Sequence, residues 1–246
     1  VANIGSTKTS GIDITLGFND KLSKHVKLSS SLTFTTSTNL VTKTSDDGGW
    51  ITGGNYFNGQ SQTVTIFASG YAPSTYYGYK TNGLFQTVAE IASSPSQSGA
   101  QPGDIKFVDI NADGKIDAND RTVIGNPFPD FTMGWNVTIS YKNFDFTAFT
   151  YASVGNDVYR AFERNDNYTN KYQTVLDRWT GPNSTNDAHN PRYSFTDPNN
   201  NSRVSDRYVE DGSFVKIKNI LIGYTLPETT TKKTFKSVRI YAQIKN

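Results

Sequence analysis

Phe131-Thr132-Met133-Gly134-Trp135-Asn136-Val137-Thr138-Ile139-Ser140-Tyr141 alternates apolar and polar side chains without interruption. Successive side chains of a strand point to opposite faces, so this run is a strand with one apolar and one wet face. Lys142-Asn143 is the shortest of connections, and a second candidate strand, 143–154, follows at once. Working outward, Ile12, Ile14, Leu16 and Phe18 alternate with Asp13, Thr15, Gly17 and Asn19. Val26, Leu28, Ser30, Leu32 and Phe34 alternate with Lys27, Ser29, Ser31 and Thr33. Further candidates are 62–69, 76–86, 213–224 and 238–246, the last with Val238, Ile240, Ala242 and Ile244 on one side. In 213–224, Val215 and Ile217 oppose Lys216 and Lys218 before the pattern blurs at Ile220-Leu221-Ile222. Runs of roughly 9–11 alternating residues match the length a tilted strand needs to cross a bilayer.

Composition agrees with strands. Only 35% of the 246 residues are hydrophobic, yet 13% are aromatic, the pairing expected of half-wet pleated surfaces. The net charge of +2 and scattered basic residues give no reason to expect a nucleic-acid partner. The chain has no cysteine, which excludes disulfides and thiolate metal sites. No apolar run approaches the ~18 residues of a spanning helix, so a membrane would be crossed by strands.

The same alternation also fits a soluble sandwich, whose inner face is equally apolar. The connections separate the two. They run short, long, short, long: residues 20–24, 70–75, 142–143 and 225–237 against 36–61, 87–129 and 155–212. Outer-membrane barrels place short turns on the periplasmic side and long loops outside. Tyr71, Tyr76, Tyr77, Tyr79, Phe85, Phe128, Phe131, Tyr141 and Phe144 sit near predicted strand ends, as interfacial girdles do.

Within 87–129, Asp109-Ile110-Asn111-Ala112-Asp113-Gly114-Lys115-Ile116-Asp117-Ala118-Asn119-Asp120 has the ligand spacing of a twelve-residue calcium loop. Asp109, Asn111, Asp113, Asp117 and Asp120 supply side-chain oxygens, Lys115 its carbonyl, and Gly114 the sharp turn. Calcium is expected here, against the alternative of a metal-free acidic turn. The flanks are too short and too broken by glycine and proline for the helices of an EF-hand, so the ion is expected to pin a loop rather than work a switch.

Segment 155–212 shows one candidate helix, 170–179, closed by Gly181-Pro182. Its aromatic residues Trp179, Tyr193, Phe195 and Tyr208 are candidates for contact with a sugar, a peptide or a partner, or for folding the loop onto itself. Catalysis has little support. His25 and His189 stand in no catalytic motif, and no nucleophile elbow or phosphate loop is present. The chain is not expected to be an enzyme.

Several blocks carry a resemblance. Tyr77-Gly78-Tyr79-Lys80-Thr81-Asn82-Gly83-Leu84-Phe85, then Pro102 to Gly114, Ile124 to Phe131, Asp177-Arg178-Trp179-Thr180 and Asn201 to Phe214, in that order, resemble the C-terminal barrel region of SusC/RagA-type TonB-linked outer-membrane transporters. The resemblance implies a 22-stranded barrel occluded by a plug and driven by TonB. It also implies a SusD/RagB-like surface lipoprotein as lid, and import of oligosaccharides or peptides across the bacterial outer membrane.

The expectation is therefore an all-β chain in which 1–246 forms an antiparallel transmembrane β-barrel segment of about eight strands with long extracellular loops. It would be an internal piece of a longer polypeptide whose plug and TonB-contacting segment lie elsewhere. The alternative is a secreted, calcium-stabilised β-rich carbohydrate-binding or adhesin module.

Overall fold

A computed structural model describes residues 5–44, 49–57, 61–162, 170–227, 235 and 237–246. In chain order the strands are β1 (Ser6–Lys21), β2 (Val26–Lys43), β3 (Ile51–Phe57), β4 (Ser61–Phe67) and β5 (Thr75–Gly78). Then come β6 (Thr81–Leu84), a short helix α1 (Val88–Ala92), β7 (Ile105–Phe107), β8 (Thr122–Gly125), β9 (Phe131–Tyr141) and β10 (Phe144–Val154). The last are β11 (Asp157–Tyr159), β12 (Val209–Asp211), β13 (Phe214–Thr225) and β14 (Arg239–Lys245). Among the described residues no helix is long and apolar enough to cross a membrane.

The chain divides into two compact units. One, made of Thr9–Thr38, Phe128–Asn156 and Gly212–Asn246, is the strand unit. Its sheet runs β1-β2-β9-β10-β13-β14, antiparallel wherever a pairing register is given. The register assigns each side chain a face. Tyr141 pairs with both Val26 and Phe144, Phe144 with Tyr224, and Tyr224 with Ile240. Following these rows, Leu28, Leu32, Phe34, Met133, Trp135, Val137, Ile139, Phe146, Ile222, Ala242 and Ile244 share one apolar face. Lys27, Ser29, Thr132, Asn136, Thr138, Asp145, Thr147, Tyr151 and Gln243 share the other.

A bulge explains the blurred pattern in β13. Phe149 pairs with Asn219 but Thr150 with Ile217, so Lys218 is an extra residue. The extra residue resets the alternation, and Val215, Ile217, Ile220 and Ile222 all reach the apolar face.

That apolar face is uncovered. Trp135 is 49% exposed, Ile222 54% and Ile244 72%. Left in water, each large apolar side chain forgoes roughly 1.5–3 kcal/mol of burial. A sheet built this way needs an apolar environment on that side. Both ends of the face carry aromatic rings: Phe144 against Tyr224 at 4.5 Å at one end, Phe34 stacked on Phe131 at 5.3 Å at the other. The turns 22–25 and 142–143 leave from the first end, as does the connection from β13 to β14, most of which lies outside the described residues. The connections 44–130 and 155–213 leave from the second.

The other unit comprises Val1–Lys8, Asn39–Pro127 and Asp157–Asp211. It corrects the strand count. Candidates 62–69 and 76–86 do not join the six-stranded sheet. β4 and β5 belong to a separate sheet of order β3-β4-β5-β8, and β6 pairs with β7. Alternation reports a half-buried strand but not which sheet holds it. Glycines divide 76–86: Gly83 has φ +74, and a Cβ on Gly78 would collide with the Val204 carbonyl. Tyr76, Tyr77, Tyr79 and Phe85 thus belong to this unit and not to a girdle, Phe85 being fully buried. The core is Leu84, Ile105, Phe107 and Ala188, with Tyr79, Ile116 and Trp179 packed against it. Each large side chain buried here contributes roughly 1.5–3 kcal/mol.

Candidate functional site

The calcium-spaced loop folds around its own side chains. Asp109 accepts the Gly114 amide at 2.8 Å and the Asp113 amide at 3.3 Å. Asn111 Oδ1 also accepts the Asp113 amide, at 3.1 Å, and Asp113 Oδ1 accepts that of Lys115 at 3.1 Å. These Asx turns are what short oxygen-bearing side chains offer a tight backbone. Gly114, with φ +84, supplies the left-handed residue the loop requires. Asp120 is fully buried and its two oxygens take the amides of Ile110 and Asp117 at 2.9 and 2.7 Å.

The loop also carries its own cation. Lys115 Nζ lies 2.8 Å from Asp117 and 3.8 Å from Asp113. This contact raises the Lys115 pKa, chiefly through the hydrogen bond to Asp117, and lowers that of Asp117. Among the described residues no three acidic or histidine side chains converge as a ready metal cage. The six candidate residues are thus brought onto one turn, with the ammonium of Lys115 where sequence reasoning called only on its carbonyl.

A buried polar network ties this loop's unit together, and sequence reasoning missed it. Asp104 is fully buried and accepts Arg192 Nε at 2.7 Å, Asn201 Nδ2 at 2.9 Å and the Gln101 amide at 2.9 Å. Gln97 joins Asn199 at 2.6 Å and the Ile105 carbonyl at 2.7 Å, while Asn201 Oδ1 accepts the Ile105 amide at 2.8 Å. The two long segments 87–129 and 155–212 are therefore locked to each other. Pro102-Gly103 and Asp197-Pro198 beside this network have the composition of turns, which marks the bends of the chain but not the network itself.

The four aromatic candidates separate. Tyr208 is fully buried, which favours the alternative that it folds the loop onto itself; its ring lies 5.6 Å from Tyr159. Trp179 packs on the core, donates Nε1 to Gln86 at 3.2 Å, and lies over Gly103, where any Cβ would collide with it. Tyr193 and Phe195 remain outside, 41% and 73% exposed, with rings edge-to-face at 5.6 Å. The expected helix over 170–179 is only a 3-10 turn, Gln173–Asp177, because Thr174 and Val175 are poor helix formers and no side chain caps its start.

No family model matches the chain. Relatives do. The chain is 32% identical to TonB-dependent receptor P3 of Formosa agariphila over 253 aligned residues, covering 100% of this chain and 24% of that protein. This chain belongs to the SusC/RagA-type TonB-dependent receptors. It is also 26% identical to TonB-dependent receptor SusC of Bacteroides thetaiotaomicron, over 99% of its length and 23% of SusC. Its fold matches 25% of a chain in the solved structure of the RagAB peptide transporter, with a TM-score of 0.74 over 99% of this chain at 21% identity. The chain thus spans about a quarter of the length of the receptors it matches. As a SusC/RagA-type receptor segment it belongs in the outer membrane.

The blocks that carried the family resemblance are the ones this structure brings together. Tyr79 donates its amide to the Val204 carbonyl at 2.9 Å and accepts that of Asp206 at 3.0 Å. Asp206 in turn accepts Thr81 Oγ1 at 2.7 Å. Arg203 lies over the rings of Tyr79 and Phe107, at 4.9 and 4.4 Å. Its burial there pulls its pKa below the ordinary arginine value. In this chain these motifs are fold-holding contacts of the loop unit.

Proposed function

We propose that this chain forms part of the wall and loops of an outer-membrane, TonB-dependent active transporter importing oligosaccharides or peptides together with a SusD/RagB-like surface lipoprotein. The observation that carries the reading is the six-stranded sheet, with an uncovered apolar face, a polar face, and its two long connections at one end. A wall of this kind sets lipid against the apolar side and a water-filled path against the polar side. TonB would act through a plug segment elsewhere in the receptor. The names of the relatives are those of receptors and transporters, and we read the chain as transporting rather than catalysing.

The long connections would face outward and meet the lipoprotein. Tyr193 and Phe195, exposed and apolar, are the aromatic candidates for that contact or for substrate. Calcium is the ion we assign to the 109–120 loop. The residues fit in kind: Asp109, Asn111, Asp113, Asp117 and Asp120 are hard oxygen donors, the Lys115 carbonyl completes the set, and Gly114 keeps the backbone tight. Each carboxylate oxygen that accepts one amide keeps a further lone pair. A bound ion would take over the charge neutralisation that Lys115 supplies and fix the loop for docking.

The test is the intact mass of the native polypeptide carrying this sequence, purified from detergent-extracted outer membranes. A mass several times that of this segment, with a lipoprotein co-purifying, is the expected result. A soluble native product of about the segment's own mass would overturn the transporter and leave a secreted β-rich binding module in its place.

A further inference from the structure

On the polar face, β13 carries Lys216 and Lys218 two residues apart, and the bulge sets Asn219 beside them. The Lys218 ammonium stands 4.4 Å from the ring centre of Tyr151, the register partner of Lys216, and Lys216 Nζ lies 5.8 Å from that of Phe214. Lys245 on β14 is the register partner of Asn219. Side chains on one face of a strand repeat every ~7 Å and neighbouring strands lie ~5 Å apart, so three ammoniums fall within about 10 Å.

Among the described residues no opposite charge neutralises them. An aromatic ring holds a cation by its quadrupole but carries no charge to cancel it. Among the described residues no carboxylate makes an ion pair with Lys216, Lys218 or Lys245. Asp145, a carboxylate on the same face, is taken by Arg239. Asp13 lies on β1, four strands away from β13, a distance of ~20 Å. Two of the lysines are thus positioned without being discharged, and a bulge re-aims the chain beside them, as bulges do next to functional sites.

We propose that Lys216, Lys218 and Lys245 form an anion-recognition site on the polar wall, taking the carboxylate or sulfate groups of an acidic oligosaccharide. Ammoniums act as point charges and suit anions whose orientation is not fixed. Asn219, which accepts Gln243 Nε2 at 2.7 Å, and the hydroxyl of Thr147 on the same face offer partners for sugar hydroxyls. The site rests on the reading that this face lines the transport path.

The test uses the full-length receptor with its lipoprotein in detergent, and three probes: tetragalacturonate, maltotetraose and an aspartate tetrapeptide. The triple variant Lys216→Gln, Lys218→Gln, Lys245→Gln is expected to bind tetragalacturonate about tenfold more weakly at low salt, the sum expected of three exposed ion pairs. That difference shrinks as salt rises, and maltotetraose binding does not change. Heat-modifiable gel migration like that of the parent certifies the fold. The site is overturned if the parent shows no preference for tetragalacturonate over maltotetraose, if the variant loses nothing, or if the loss is confined to the peptide. Failure of the transporter reading is distinguishable, since it appears as a native chain that extracts without detergent, whatever the binding result.

Discussion

Arg239 on β14 forms an ion pair with Asp145 on β10, although β13 lies between those two strands. Its Nε also meets Asp145 Oδ1 at 3.1 Å. The residue beneath is Gly223, paired with Asp145 on one side and Tyr241 on the other. A Cβ there would stand 2.5 Å from Arg239 Nη2 and 2.6 Å from Asp145 Oδ1. The glycine is the gap through which the pair closes, and the interior of a strand otherwise disfavours it.

Gly223→Ala should therefore break the pair. The atoms a Cβ would meet are the ends of two flexible side chains, which can swing aside, so the cost is that of losing a partly exposed ion pair, about 0.2–1 kcal/mol. Thermal unfolding of the detergent-solubilised receptor checks this, with Asp145→Asn as the comparison, and small, equal losses are expected in the two. A loss in Gly223→Ala well above that in Asp145→Asn would show that the two side chains cannot move aside.

Asp104→Ala should unfold the loop unit locally. It leaves Arg192 and Asn201 facing a buried position without their acceptor, and breaking a buried charged pair costs about 3–5 kcal/mol. Limited proteolysis is expected to cut within 87–129 and 155–212 while the strand unit stays intact. Protection equal to the parent would show that the network is dispensable.

The strand wall was legible because a sheet with one uncovered face repeats every two residues. β9, β10 and β14 show this from sequence alone, and β13 does so up to the bulge at Lys218. The two strands assigned to the wrong sheet, 62–69 and 76–86, have the same local pattern, since alternation carries no information about partners. Asp104, Gln97, Asn199 and Asn201 were invisible for another reason. Each is a polar residue in turn-rich sequence, and only the folded chain shows that they are buried and joined. Tyr208 and Phe195 look alike in sequence, yet one is core and the other surface.

Acid should loosen the start of α1. Thr87 accepts the Glu90 amide at 3.2 Å, while the Glu90 carboxylate accepts the Gln86 amide at 2.8 Å and pairs with Lys106 at 2.7 Å. The backbone hydrogen bond from Gln86, then that of Lys106, lower the Glu90 pKa below its ordinary 4.5. A depressed carboxylate stabilises fully above its unfolded value and loses that contribution as pH falls through the folded one. Protection of the amides at 86–92, taken against the intrinsic exchange rate at each pH, is thus expected to fall below about pH 4.5, and Glu90→Gln to remove the dependence. An unchanged profile in that variant would assign the effect to other groups.

A calcium ion entering the 109–120 loop would compete with Lys115 for the same carboxylates. The Lys115 ammonium lies 2.8 Å from Asp117 and near Asp113, so an entering ion must displace it. Lys115→Ala keeps the carbonyl donor and removes the internal cation, and calcium affinity should rise several-fold. Asp113→Ala removes a donor and should weaken calcium binding by tenfold or more, about 1.4 kcal/mol. Calorimetric titration of the full receptor with calcium measures both. Should Asp113→Ala leave calcium binding and lipoprotein association as they were, the loop would be a metal-free acidic turn held by Lys115. A weaker affinity in Lys115→Ala would show instead that the ammonium supports the loop's shape more than it opposes the ion.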